Sequence, residues 1–214
     1  MRRLFNSALM MIVSLVLAAG CASPGSGGTD PAASTSASQN KRAKARQAPR
    51  SVQEQYEKAL VLMQVEDFVG AERAFTLFLQ AHPKYAGPYV NLGIIYARTD
   101  RLNEAEAAFK NAIDRNRSNA VALNELGIVY RRMGRFSEAK EAYNRAVEVA
   151  PEFAAPHLNL GVLYDLYLRQ PDVALEHYER YQGLDHVTDE LVAKWIAELK
   201  MRIGSEQRTA GVAE

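Results

Sequence analysis

One cysteine, one tryptophan and an aromatic content of 8% leave little room for several kinds of protein in this 214-residue chain. A lone Cys excludes an internal disulfide framework and any Cys-based zinc site. The four histidines, His82, His157, His177 and His186, form no His-x-x-x-His or His-Glu-x-x-His pair. That leaves no metalloprotease-type signature, and no glycine-rich phosphate loop follows a strand. No segment reads as a strand at all. No apolar run is long enough for a helix to cross the ~30 Å of a bilayer core. Neither sign of charge dominates overall, with 26 basic and 25 acidic residues. Seven of the basic residues and a single acid, Asp30, precede Ser51, so the remainder holds 19 basic against 24 acidic residues, a net charge of −5. A mildly acidic body argues against nucleic acid as a ligand, since phosphate binding needs a basic face. The carboxylates are scattered as on any solvated surface. These absences argue against an enzyme, a small-molecule substrate and any bound cofactor or metal.

What is present is repetition. Leu-Gly-x-x-Tyr occurs at Leu92, Gly93 and Tyr96, at Leu126, Gly127 and Tyr130, and at Leu160, Gly161 and Tyr164, each 34 residues from the next. That interval is the period of a helix-turn-helix solenoid unit, which cannot bury its apolar face alone and must stack on neighbours. Ser51-x-x-Glu54 predicts a capping box at the start of the first helix. The predicted repeats are 52–85, 86–119, 120–153 and 154–184. Small residues (Ala59, Ala71, Gly93, Ala105, Gly127, Ala139, Gly161 and Ala174) permit close helix approach, and Phe75, Phe109, Tyr143 and Tyr178 fill the space around them. Pro83 and Pro151 end helices. Arg117 stands where a third proline is expected, and the last repeat's second helix runs one residue late. Behind Thr188 as N-cap, Leu191, Val192, Trp195, Ile196, Leu199 and Ile203 recur at helical spacing. They predict a capping helix over 185–204 that stops at Gly204, with a frayed tail at 205–214. A docking stripe is the second reading of that helix.

These residues and their interval resemble the tetratricopeptide repeat family, over about two thirds of the chain. The resemblance implies an all-α solenoid whose first helices line a concave, partner-binding face. Carried over residue by residue, the groove positions are Tyr56, Leu60 and Met63; Val90, Asn91, Ile94 and Arg98; Asn124, Glu125, Ile128, Arg131 and Arg132; Leu158, Asn159, Val162 and Asp165. Asn91 and Asn159 offer both donor and acceptor to a peptide backbone, and the arginines offer a carboxylate site. Cations near helix C-termini are also favourable without a ligand. The family's chaperone-binding set of two Lys, two Asn and an Arg is matched only at Asn91; Tyr56, Leu60, Val121 and Glu125 occupy its other places.

The first twenty residues read as a secretory signal peptide: Arg2 and Arg3, an apolar run from Ala8 to Leu17, then small residues. Leu17-Ala18-Ala19-Gly20-Cys21 resembles the lipobox of bacterial lipoproteins, although that family prefers Leu where Ala18 stands. The resemblance implies acylation of Cys21 and, with Ala22 following, the periplasmic face of the outer membrane. A conventional leader cut at Ala18-x-Gly20 is the alternative. Residues 22–50 contain no aromatic and no aliphatic larger than Ala, so nothing there offsets the entropy of ordering them. As a coil they reach roughly 30 Å. Their basic end, Lys41 to Arg46, either touches anionic lipid or cell wall or is simply solvated. The expectation is a non-catalytic lipoprotein scaffold binding envelope proteins, similar in plan to lipoproteins of type IV pilus biogenesis. An accessory of an energy-transducing (TonB-type) or cell-wall-processing complex is the other reading. The expected partners are envelope proteins and, through the lipid, a membrane.

Overall fold

A close approach between a backbone and a ring organises each hairpin. The computed structural model describes residues 51–184 and 189–210, and among them every regular element is a helix. In order these are α1 (Val52–Gln64), α2 (Phe68–Ala81), α3 (Ala86–Arg98), α4 (Leu102–Arg115), α5 (Ala120–Arg132), α6 (Phe136–Val149), α7 (Ala154–Leu166), α8 (Pro171–Leu184) and α9 (Glu190–Ala210). Within each hairpin the glycine of the first helix faces an aromatic of the second. A β-carbon added to Gly93 would stand 2.6 Å from the Phe109 ring. One on Gly127 would meet Tyr143, and one on Gly161 would meet Tyr178, closer still. All three rings are buried. In the first hairpin Ala59 and Phe75, both buried, hold the corresponding places 34 residues earlier.

The helices start and stop for identifiable reasons. Ser51 forms the expected capping box: its Oγ accepts from the Glu54 amide at 3.2 Å, and its own amide donates to Glu54 Oε2 at 3.1 Å. Asp67 caps α2 through the Gly70 amide, and Asn119 caps α5 through the Ala122 amide. Pro83 and Pro151 lie just past the ends of α2 and α6. Where Arg117 replaces the proline, an Asx turn does the same work, with Asn116 Oδ1 accepting from the Ser118 amide at 3.1 Å. The turn inside each hairpin carries one residue with left-handed backbone: Glu66, Asp100, Gly134 and Arg169. α8 begins one residue late at Pro171, as the sequence predicts, and that offset sets Tyr178 rather than His177 against Gly161.

Successive hairpins stack, each second helix against the first helix of the next repeat. In addition α3 meets α5 and α5 meets α7, whereas no comparable contact joins α4 to α6 or α6 to α8. First helices therefore crowd together on the inside and second helices spread on the outside, so the inner wall is built by α1, α3, α5 and α7. One apolar core runs from Val90 to Leu163 through the second, third and fourth repeats, and a smaller one joins the first repeat to the second.

α9 closes the far end with Val192, Ile196 and Leu199 buried against Ala174 and Tyr178. Trp195 is half-buried, its ring 5.6 Å from Tyr178. Leu191, expected on that stripe, is 53% exposed. The expected N-cap Thr188 lies outside the described residues; Asp189 Oδ1 accepts from the amides of Leu191 and Val192. Gly204 does not stop the helix. α9 runs through it to Ala210, so residues 205–210 are helical rather than frayed, and 211–214 lie outside the described residues. A glycine ends a helix when it turns left-handed, and Gly204 keeps helical backbone. The leader, Cys21 and the tether also fall outside the described residues.

Gly127→Ala tests the ring contact. Alanine at a helix interior should gain roughly 0.5–1 kcal/mol over glycine. Here overpacking against Tyr143 should instead lower unfolding free energy by ~1–3 kcal/mol in urea titrations. An unchanged or raised midpoint would contradict the packing.

Candidate partner-binding groove

The inner wall carries a ladder of side chains between neighbouring repeats. Asn91 Nδ2 donates to Tyr56 Oη at 2.9 Å, and Asn159 Nδ2 donates to Asn124 Oδ1 at 2.9 Å. Both rungs join residues 35 apart, the fifth position of one repeat to the sixth of the next. The two asparagines singled out from the sequence are therefore already engaged as donors. Each keeps its carbonyl oxygen and a second N–H for a partner. Asn124 is almost fully buried, at 4% exposure, as is Val90 at 8%, so both belong to the inter-repeat seam more than to the open surface.

Ile94 and Ile128 are partly buried and pack on the main core, leaving their outer edges on the wall. Leu158 and Val162 behave differently: both pack on the cluster that α9 completes. Asp165, also carried over as a groove position, pairs with Arg202 of α9. The fourth repeat's share of the trough is thus partly taken by the chain's own last helix. Of the apolar groove positions, Val162 is thus shared with the α9 cluster, whereas Ile94 and Ile128 pack on the main core.

The three arginines are not free cations. Arg132 donates to the Ala97 carbonyl at 2.6 Å and to Asp100 at 2.8 Å, tying the third repeat to the turn of the second. Arg131 Nε points at Tyr143 Oη, 3.4 Å away, and is half-buried. Arg98 lies 3.6 Å from Glu66 and 5.8 Å above the Phe68 ring. A carboxylate site built from all three, as the sequence suggested, is not assembled here, because each is turned toward its own or the preceding repeat.

Two constellations escape sequence inspection. The first is a repeated clamp. Arg101 pairs with Glu72 and Glu104 and stacks 4.3 Å over Tyr96; Arg135, 34 residues on, pairs with Glu106 and Glu138 and stacks 4.4 Å over Tyr130. These pairs hold the Glu104 and Glu138 carboxyls below their ordinary range. Its signal was available as the recurrence of Arg, Glu and Tyr at the repeat interval. At the next interval Lys140 stands where the register would put the inter-repeat glutamate, so the clamp ends; nearby the Phe136 and Tyr167 rings lie 4.6 Å apart, tilted by 36°. The second is a pair of imidazoles. His157, buried at 6% exposure, sets its Nδ1 3.4 Å from that of His177, and His177 stacks on Tyr164. Nothing in a spacing of 20 residues announces that contact. Burial depresses both rings; His177, with His157 beside it, is pushed down to about 4. Among the described residues no group of three or more His, Cys, Asp or Glu side chains is placed to hold a metal ion. No described helix is long and apolar enough to cross a membrane.

A curved stack of helical hairpins with a side-chain-lined inner wall defines an α-solenoid interaction module. Family models for the tetratricopeptide repeat match residues 84–152 and 124–185. Over residues 84–185 the chain belongs to the tetratricopeptide repeat family. Among solved structures it is similar to MamA, at 25% identity over 72% of this chain and 86% of that one, with a TM-score of 0.60. PilF of Pseudomonas aeruginosa shares 21% identity over 72% of this chain and 69% of its own, with a TM-score of 0.65. The first repeat domain of Spaghetti, solved bound to the HSP90 peptide SRMEEVD, shares 19% identity over 56% of this chain and 93% of its own, with a TM-score of 0.52. No curated protein matches the sequence. The fold is that of a protein-interaction scaffold, and proteins of this family are generally non-catalytic.

The histidine pair generates a pH prediction. Both rings titrate lower in the folded chain than the ordinary ~6.5, so the unfolded chain binds more protons and stability falls with pH between that value and about 4. The depressed glutamates add to acid sensitivity only at lower pH. The thermal midpoint should therefore drop on acidification to about pH 5, in the window set by histidine. His157→Gln with His177→Gln should flatten that drop, and an identical pH profile in the double variant would refute the assignment.

Proposed function

We propose that this chain is a non-catalytic, lipid-anchored scaffold of the bacterial cell envelope. It holds protein partners along the inner wall of its repeats during assembly of a pilus- or secretin-like machine. One observation carries the binding half: α3, α5 and α7 touch in succession, so that Asn91, Ile94, Ile128 and Asn159 fall on one wall. Carbonyl acceptors at the asparagines suit the backbone of an extended segment or the polar flank of a helix. The anchoring half rests on the leader and Cys21. Stable anchoring takes two acyl chains at about 0.8 kcal/mol per buried methylene, and the lipobox resemblance implies three. Residues 22–50 then form the tether that lets the repeats stand off the periplasmic face of the outer membrane. The pilus assignment is supported by the resemblance of that plan to pilus lipoproteins and by a fold shared with PilF, a pilus-related repeat protein.

Two experiments test the two halves separately. A photocrosslinking amino acid in place of Ile128 should yield discrete protein adducts in living envelopes, and one in place of the exposed outer residue Ala107 should not. Equal labelling at both positions, or none at Ile128, would remove the groove. Cys21→Ala should abolish incorporation of labelled palmitate and move the protein from the membrane fraction to the soluble one. Retention in the membrane without label would sink the anchor.

A further inference from the structure

The ladder on the inner wall has a defective middle rung. Tyr56 pairs with Asn91 and Asn124 with Asn159, in each case across 35 residues. The same register sets Glu125 of α5 opposite Val90 of α3. Val90 is apolar, 8% exposed, and offers no donor. Glu125 is therefore left with one hydrogen bond, from Asn124 Nδ2 on its own helix, at a long 3.4 Å. A carboxylate accepts at about four sites, so most of its capacity is unused.

The cations on this wall are committed elsewhere. Arg98 is the only one whose attraction Glu125 feels, and it stands over Phe68 beside Glu66. Arg131 is turned to Tyr143, and Arg132 to Ala97 and Asp100. The body of the protein is acidic as well, at −5 from Ser51 onward. A partly buried carboxylate, one helical turn from Ile128 on α5, is costly in the free protein and favourable once a cation arrives. Consistent with this, burial pushes the Glu125 carboxyl above its ordinary range.

We infer that Glu125 is the charge-selective contact of the trough, and that the partner is a peptide segment placing a Lys or Arg between aliphatic side chains. The cation meets Glu125, and the flanking aliphatics lie on Ile94 and Ile128. This rests on the inner wall being the binding surface. It gives that surface a sign opposite to one built for an acidic tail.

The test is selection from a displayed random-peptide library on the full-length chain, followed by titration of the selected peptides. Native protein should enrich Lys or Arg flanked by aliphatics. Replacing that Lys by norleucine should weaken binding about tenfold or more to native protein, yet change it little for Glu125→Gln. Glu125→Gln keeps the shape and removes a desolvated charge, so its thermal midpoint should not fall. Selection without basic enrichment, or the same enrichment on Glu125→Gln, overturns the inference. Ile128→Asp separates the two levels. If it abolishes binding while Glu125→Gln has no effect, the groove stands and the charge assignment fails. If binding survives Ile128→Asp, or if no peptide is selected at all, the groove reading fails with it.

Discussion

Three of the four hairpins in this molecule depend on an aromatic ring resting on a stretch of backbone that has no side chain; in the first, Ala59 and Phe75 hold those places. Phe109 lies on Gly93, Tyr143 on Gly127 and Tyr178 on Gly161, each ring fully or almost fully enclosed. The contact fixes how closely two helices approach, and packed interiors do not adjust freely around it. With that distance set, the second helix buries a set of small residues (Ala105, Ala108 and Ala112, or Ala139, Ala142 and Ala146) that let its neighbours pack close. Stacking follows from the pairing, and curvature follows from the stacking. In the fourth repeat an uninterrupted 34-residue register would place His177 under Gly161. The helix instead starts one residue late and Tyr178 takes the place. The ring contact is kept at the expense of the turn.

The displaced His177 has consequences of its own. It lands against His157 and Tyr164 and is held neutral by burial, so acid sensitivity is concentrated in the last repeat. That repeat also lacks the arginine clamp that joins the first to the second and the second to the third. α9 compensates, through Val192, Ile196 and Leu199 in the seam and Arg202 on Asp165. The solenoid is thus stiffened by charge in its first three repeats and by an added helix at its end.

Function follows from which side chains this geometry leaves unfinished. On the inner wall the arginines are folded back onto their own scaffold and the asparagines bridge repeats. Glu125 is answered only weakly. The arginines that offered a carboxylate site from residue types are turned to partners of their own, and acceptor capacity is left on the wall at Glu125. The difference lies in where each guanidinium finds a carbonyl or carboxylate within reach, and that is set by the neighbouring repeat rather than by the helix it grows from.

The period, the helical class and the helix boundaries marked by Ser51, Pro83 and Pro151 are legible in the residues alone, because a 34-residue recurrence of small and aromatic residues calls for stacked helical hairpins. The sequence also exposed the late start of α8, since Ala174 and Tyr178 visibly fall out of step. It misplaced the end of α9, because whether Gly204 turns or continues depends on backbone that composition does not fix. Three partnerships became visible only once the helices were assembled: Tyr56 with Asn91, Asn124 with Asn159, and His157 with His177. Those contacts join residues 20 to 35 apart whose meeting depends on the angle between stacked hairpins. That angle is a property of the assembled core, summed over many side chains, and no single motif carries it.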